Sequence, residues 1–219
     1  MSNPLTLKDL ATAKGALRLQ RALGGTDQET AQAILLASKF LDKNPELEKL
    51  RIGRSTSSFF DHNSPRIGLS TSDPAVLAHE LGHAADLGLS PSIYKNTITP
   101  YSKNVVNVAD RIALPGAVAA ATLLPGEEST KYLNLGSGIA ALAAAPSLYN
   151  EARASHLAAL NSDNYLKTLS KLAPGFVAHT LQSLSPVAKL QAIKYIKDMP
   201  RAAQPTALSL LSTTDRMLA

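Results

Sequence analysis

Apolar residues recur at helical spacing from Leu5 to Leu23, with Leu7, Leu10 and Leu17 marking one side, and the pattern stops at Gly24-Gly25. That period predicts an amphipathic helix closed by a glycine stop. Thr26 is placed to cap the next helix, and Glu29 three residues on completes a capping box. Ala33, Ile34, Leu36, Ala37, Phe40 and Leu41 supply its apolar face before Asn44-Pro45 breaks it. The segment from Leu50 to Phe60 is rich in Ser, Thr, Ile and Phe. A dense turn signal follows over Asp61-His62-Asn63-Ser64-Pro65, and Arg66 to Ser70 is again extended. Residues 50–70 are therefore expected to form a small β-hairpin.

Asp73-Pro74 opens the next helix with an acidic cap and a proline whose missing N–H costs nothing at the first position. This helix is expected over 74–87, ending at Gly88. Two Ala-rich stretches follow, 112–125 and 133–149, within a region of helices expected over 105–160. Both fall short of the roughly 20 strongly apolar residues a bilayer crossing needs. They read as buried or amphipathic helices of a soluble core, with a membrane hairpin as the alternative. From Tyr165 the chain is again helical, with breaks expected at Pro174-Gly175, Pro186 and Pro200. No internal repeat is visible.

Composition narrows the chemistry. The 219 residues contain no Cys and no Trp, and 45% are hydrophobic against 18% charged. A disordered chain is excluded, as are a disulfide framework, a Cys-ligated zinc finger, an iron–sulfur cluster and a thiol nucleophile. Any metal must be held by His and carboxylates. Of the net charge of +5, four units gather in the last quarter, where Lys167, Lys171, Lys189, Lys194 and Lys197 fall on helical sequence. A solvated helix face is the ordinary reading of such a run. It lacks the interleaved aromatics of a single-strand binder, so nucleic acid is not an expected partner. The first residues carry no basic stretch followed by an apolar run, so no signal peptide is expected, and the location is cytoplasmic or membrane-associated.

The helix over 74–87 contains His79-Glu80-Leu81-Gly82-His83. Histidines four apart project from one helical face and reach a common point, as two ligands of a tetrahedral zinc site must. Glu80 stands beside the metal without needing to ligate it, where it can take a proton from the attacking water. Gly82 leaves room for another backbone segment or for substrate. The third ligand is expected to be a carboxylate from a second helix, and Glu151 is the candidate, with Glu127 and Glu128 behind it. Ala152, Ala154 and Ala158 let the helix carrying Glu151 lie close to its partner. Ser155, on the same face as Glu151, is a candidate hydrogen-bond partner for a liganding histidine. Asp86 is a further acceptor or a surface charge at the helix end. His62, in the turn, is expected to be structural and to orient the hairpin. Tyr149 and Tyr101 are oxyanion candidates.

Asp61-His62-x-x-Pro65 with Leu69-Ser70, Ala78-His79-Glu80-x-Gly82-His83-Ala84 and Glu151-x-x-Ala154-Ser155-x-x-Ala158 stand in this order over residues 50–160. In this they resemble the neutral zinc metallopeptidases of the YugP type, membrane-associated gluzincins with the logic of the HtpX-like peptidases. The resemblance implies that His79, His83 and Glu151 bind one Zn2+ and that Glu80 is the catalytic base. A zincin-like α+β domain is expected over 1–160, with 161–219 as a basic helical extension packed on it, for which the resemblance offers no counterpart. The fold expected is thus mainly α, a helical bundle around the active-site helix with a minor hairpin. The function expected is a zinc metalloendopeptidase acting on polypeptides, at a membrane surface or within a larger assembly. The alternative is a non-catalytic structural or assembly protein that keeps such a fold.

Overall fold

The structure, a computed structural model, describes residues 5–61, 64–89, 114–124 and 126–198. These are mainly helical with one small sheet. The chain enters through β1 (Leu5–Thr6), turns into α1 (Leu7–Leu10) and continues as α2 (Ala13–Leu23). The single helix expected from Leu5 is therefore broken. Two threonine caps are the reason: Thr6 and Asp9 form a capping box for α1, and Thr12 Oγ1 accepts from the Gly15 amide at 3.1 Å to start α2. A Cβ at Gly15 would run into the backbone carbonyl of Asp9, so only glycine lets α2 pack this tightly on α1. Gly24, at φ 76°, closes α2 in the left-handed conformation that glycine adopts without strain. The Thr26–Glu29 capping box then opens α3 (Asp27–Lys43), and a 3-10 turn (Pro45–Lys49) follows.

The region 50–70 is more than a hairpin. It forms β2 (Arg51–Arg54), β3 (Phe59–Asp61) and β4 (Arg66–Leu69), and with β1 these make a four-stranded sheet in the order β1-β2-β4-β3. Only β3 and β4 pair as a hairpin; β2 runs parallel to β4, with Ile52 opposite Ile67. This register sends both isoleucines into the core, where they are 0% and 2% exposed. Ser55 and Ser58 tie the return path, the Ser55 amide to the Leu69 carbonyl at 2.8 Å and the Ser58 hydroxyl to the Ser70 amide at 3.1 Å.

α4 (Pro74–Leu89) begins as its sequence requires, with Asp73 Oδ1 accepting from the Ala75 amide at 2.9 Å. It runs through Gly88 rather than stopping before it. Leu77, Leu81, Ala84 and Ala85 bury one side of α4 in the main core, together with Leu7, Leu10, Phe40, Ile52 and Ile67. Ala78 packs on Leu36 and Ala158 in a separate small cluster. With those sides committed, the side carrying His79 and His83 is left for the helix bearing Glu151.

Three further helices are α5 (Leu114–Leu123), α6 (Gly126–Asn161) and α7 (Tyr165–Asp198). The breaks expected at Pro174-Gly175 and Pro186 do not occur, since α7 passes through both. A proline removes one donor at a cost of about 3 kcal/mol, which a long helix with packed turns on either side can absorb. Thr168 and Leu190 are such buried anchors. Pro200 and residues 105–113 lie outside the described residues. No helix among the described residues is long and apolar enough to cross a membrane.

The chain divides into two compact units, each discontinuous in sequence. The first comprises Met1–Asn96 and Tyr149–Val177 and contains the sheet, α1 to α4 and the candidate site. The second comprises Thr97–Leu148 and Ala178–Ala219. Residues 161–177 thus group with the first unit. Lys39 pairs with Asp163 at 2.8 Å, Lys171 pairs with Asp73 at 3.2 Å, and Leu172 packs against the Ala78 cluster. In the second unit Ala117, Leu133 and Leu190 form a small core. Polar ties supplement it, with Lys197 donating to Ser129 Oγ at 2.7 Å and Gln191 to Ser137 Oγ at 2.8 Å.

Phe40 is fully buried in the core that supports α4. Phe40→Ala is expected to lower the stability of the first unit by about 3–5 kcal/mol. Denaturant unfolding followed by far-UV circular dichroism measures this.

Candidate metal centre

One turn of α4 separates His79 from His83, and their rings meet edge to face with centroids 4.7 Å apart. The two Nε2 atoms lie 3.2 Å from each other. Glu151 of α6 completes the group, with Oε2 at 3.2 Å from His79 Nε2 and Oε1 at 3.5 Å from His83 Nε2. A tetrahedral zinc ion with ligands about 2.0–2.1 Å away holds those ligands roughly 3.3–3.4 Å from one another. The two ring nitrogens stand at about that spacing, and each lies 3.2–3.5 Å from a different oxygen of the Glu151 carboxylate. Among the described residues this is the one group of three or more His, Asp or Glu side chains able to hold a metal. Two imidazole nitrogens and a carboxylate pointing at one place repel each other unless a proton or a cation lies between them. The donor set of nitrogen and oxygen suits zinc.

Ser155, one turn beyond Glu151, places Oγ 3.2 Å from His79 Nδ1. A hydrogen bond at Nδ1 orients the ring so that Nε2 faces Glu151, the orientation a metal ligand needs. The side chains of His79, His83 and Glu151 are 17%, 12% and 22% exposed, so the group is sheltered but open on one side.

The spacing of the two helices has a visible cause. A Cβ built at Gly82 would lie 3.1 Å from Ala154 Cα and closer still to the Ala154 carbonyl oxygen. No side chain fits there, so α6 rests directly on the backbone of α4. Ala154 and Ala158 are fully buried, and their small size permits the approach.

Two carboxylates in one small space titrate apart. Burial pushes the Glu80 carboxyl up to about 7; the charge of His79 opposes this and that of Glu151 adds to it. Burial acts in the same upward sense on Glu151, but hydrogen bonds and charge from His79 and His83 outweigh it. They hold that group well below the usual carboxylate range. Glu151 is thus held ionised, while the Glu80 carboxyl is poised near neutral pH.

The other sequence candidates fall out differently. Asp86 is neither a partner of the histidines nor a surface charge: it is 5% exposed and forms an ion pair with Arg153. Tyr149 is half exposed, and its hydroxyl accepts from Arg153 Nη1 at 3.2 Å, so it stands with that pair and outside the metal group. Glu127 and Glu128 are exposed in the first turn of α6 and take no part in the group. His62 and Tyr101 lie outside the described residues. Sequence reasoning missed Arg153. The clue was a lone cation among Ala152, Ala154 and Ala158, on a segment expected to pack closely against a helix carrying an acid. A separate cavity of about 450 Å³ lies between α3, the start of α4 and the α6–α7 junction. It is lined by Glu29, Asp73, Lys167 and Lys171 among others, and holds none of the three ligands.

No protein-family model matches the chain, and searches among curated proteins and solved structures found no match.

Alanine is the better helix former than glycine by about 1 kcal/mol, so an unconstrained Gly→Ala change in α4 would stabilise. Gly82→Ala is expected to destabilise instead, by about 1–3 kcal/mol, because the opposing atoms are backbone and cannot turn away. Thermal unfolding gives the sign directly.

Proposed function

We propose that this chain is a zinc-dependent metallopeptidase, similar in the layout of its site to the YugP-type neutral zinc metallopeptidases. The observation that carries the reading is the convergence of His79 Nε2, His83 Nε2 and the Glu151 carboxylate, the nitrogens 3.2 Å apart and the two carboxylate oxygens 3.2 and 3.5 Å from them. Three protein ligands is the number that catalytic zinc sites use, whereas structural sites close with four. When bound, zinc supplies Lewis acidity and makes a water molecule acidic enough to ionise near neutral pH. The chain supplies the rest. Glu80 follows the first ligand in sequence and is 6% exposed, with a carboxyl whose affinity for protons is raised to about 7. A base so tuned takes a proton from water and passes it to the departing amine. Ser155 orients the His79 ring, and the Gly82–Ala154 contact brings Glu151 close to both rings. The substrate class that fits such a site is a polypeptide.

Two measurements test the reading. The purified chain is expected to contain one zinc per molecule by elemental analysis, and to cleave unstructured peptides until a chelator removes the metal. Glu80→Gln is expected to keep its zinc and lose about 10²–10⁴-fold in hydrolysis. A chain that takes up no zinc, or a Glu80→Gln variant that cleaves as well as its parent, would overturn the proposal. The first of these results would favour a non-catalytic assembly protein.

A further inference from the structure

We infer that the Asp86–Arg153 ion pair is the positioning element of the metal centre, setting Glu151 against the two histidines and thereby how tightly the metal is held. The inference rests on the metal-centre reading above.

α6 meets α4 through a short seam in the first unit. Ala154 lies on Gly82, Ser155 faces His79, Glu151 faces both histidines, and Arg153 pairs with Asp86. These contacts do different things. The Gly82–Ala154 contact limits how near the helices come, but backbone resting on a bare Cα does not choose a register. The Ser155–His79 hydrogen bond is a single contact at 3.2 Å and contributes little net registration. Glu151 meets the two rings only at 3.2 and 3.5 Å, longer than a tight charge-assisted hydrogen bond, so it holds the register loosely.

Asp86 and Arg153 have no such freedom. Asp86 is 5% exposed, and a buried carboxylate parted from its cation is strongly disfavoured. Arg153 Nε donates to Asp86 Oδ1, while Nη1 donates to the hydroxyl of Tyr149, one turn earlier on the same helix, at 3.2 Å. The guanidinium is therefore steadied on α6 by Tyr149 and anchored to α4 by Asp86. Its planar fork has few orientations that satisfy both. Asp86 lies three residues beyond His83, and Arg153 two residues beyond Glu151. The anchor is thus adjacent, on both helices, to the residues of the metal centre.

The test uses the full chain with zinc alone and cobalt(II) alone as probes. Zinc affinity is measured by chelator competition for the unmutated chain, Asp86→Asn, Arg153→Met and Tyr149→Phe, with helicity checked by circular dichroism. Glu151→Gln serves as the reference for a lost ligand. Folded Asp86→Asn and Arg153→Met are expected to bind zinc about 10–100-fold more weakly. Their cobalt(II) absorption spectra are expected to move toward that of Glu151→Gln, a change that a loss of global stability alone does not produce in the folded fraction. If those two variants do not fold, Tyr149→Phe decides. Its site is half exposed, and freeing one arm of the guanidinium is expected to weaken zinc binding about 3–10-fold. Unchanged affinity and spectrum in the folded variants would overturn the positioning role while leaving the metal centre standing. Failure of the unmutated chain to bind zinc would overturn the metal-centre reading, and this inference with it.

Discussion

The close contact between α4 and α6 at Gly82 and Ala154 is the constraint on which the rest of the first unit depends. The histidines project from α4 whether or not anything lies opposite, because residues four apart share a helical face. Glu151 is different. It reaches both rings only because α6 lies on bare backbone, and every residue along that seam is small or polar to a purpose. The core beneath α4 serves the same end. Leu77, Leu81, Ala84 and Ala85 lock one side of the helix onto the sheet and α3, so the histidine side has one direction left to face.

The electrical character of the site follows from that packing. A carboxylate beside two imidazoles is held ionised, and a carboxylate buried beside it is held close to the point where it exchanges a proton at neutral pH. One residue type performs two tasks because two environments differ. The distinction rests on which carboxylate the imidazoles face and needs no further chemical group. It is lost if α6 withdraws.

Much of this was legible in the chain itself, wherever the cause was local. The Thr26–Glu29 box, the Asp73-Pro74 start and the pairing of His79 with His83 are short-range patterns with one physical outcome each. Glu151 and Ser155 were legible through their alanine neighbours, which mark a helix built for close approach. The rest depended on partners distant in sequence. Nothing near Arg51 announces that β2 runs parallel to β4; the pairing is decided by where Ile52 and Ile67 must both point. Arg153 could be understood only once Asp86 was seen to be buried. Pro174 and Pro186 are strong local stop signals, yet α7 continues through both, since a local penalty of this size yields to packing on either side. The threonine caps at Thr6 and Thr12 show the opposite case: local chemistry cut a helix that the apolar period alone would have made continuous.

The separation of the ligands along the chain has a consequence for how the protein is made. Two of the three stand within a single turn of α4, while the third lies far downstream on a helix that starts at Gly126 and must be synthesised almost to its end before it can dock. During vectorial synthesis the histidine pair leaves the ribosome first and has for a time no acidic companion. Closing the intervening loop costs entropy that only the docked seam returns. The complete group of His79, His83 and Glu151 therefore arises late, as a product of tertiary folding, and a nascent chain halted before residue 151 carries the imidazole pair without its carboxylate.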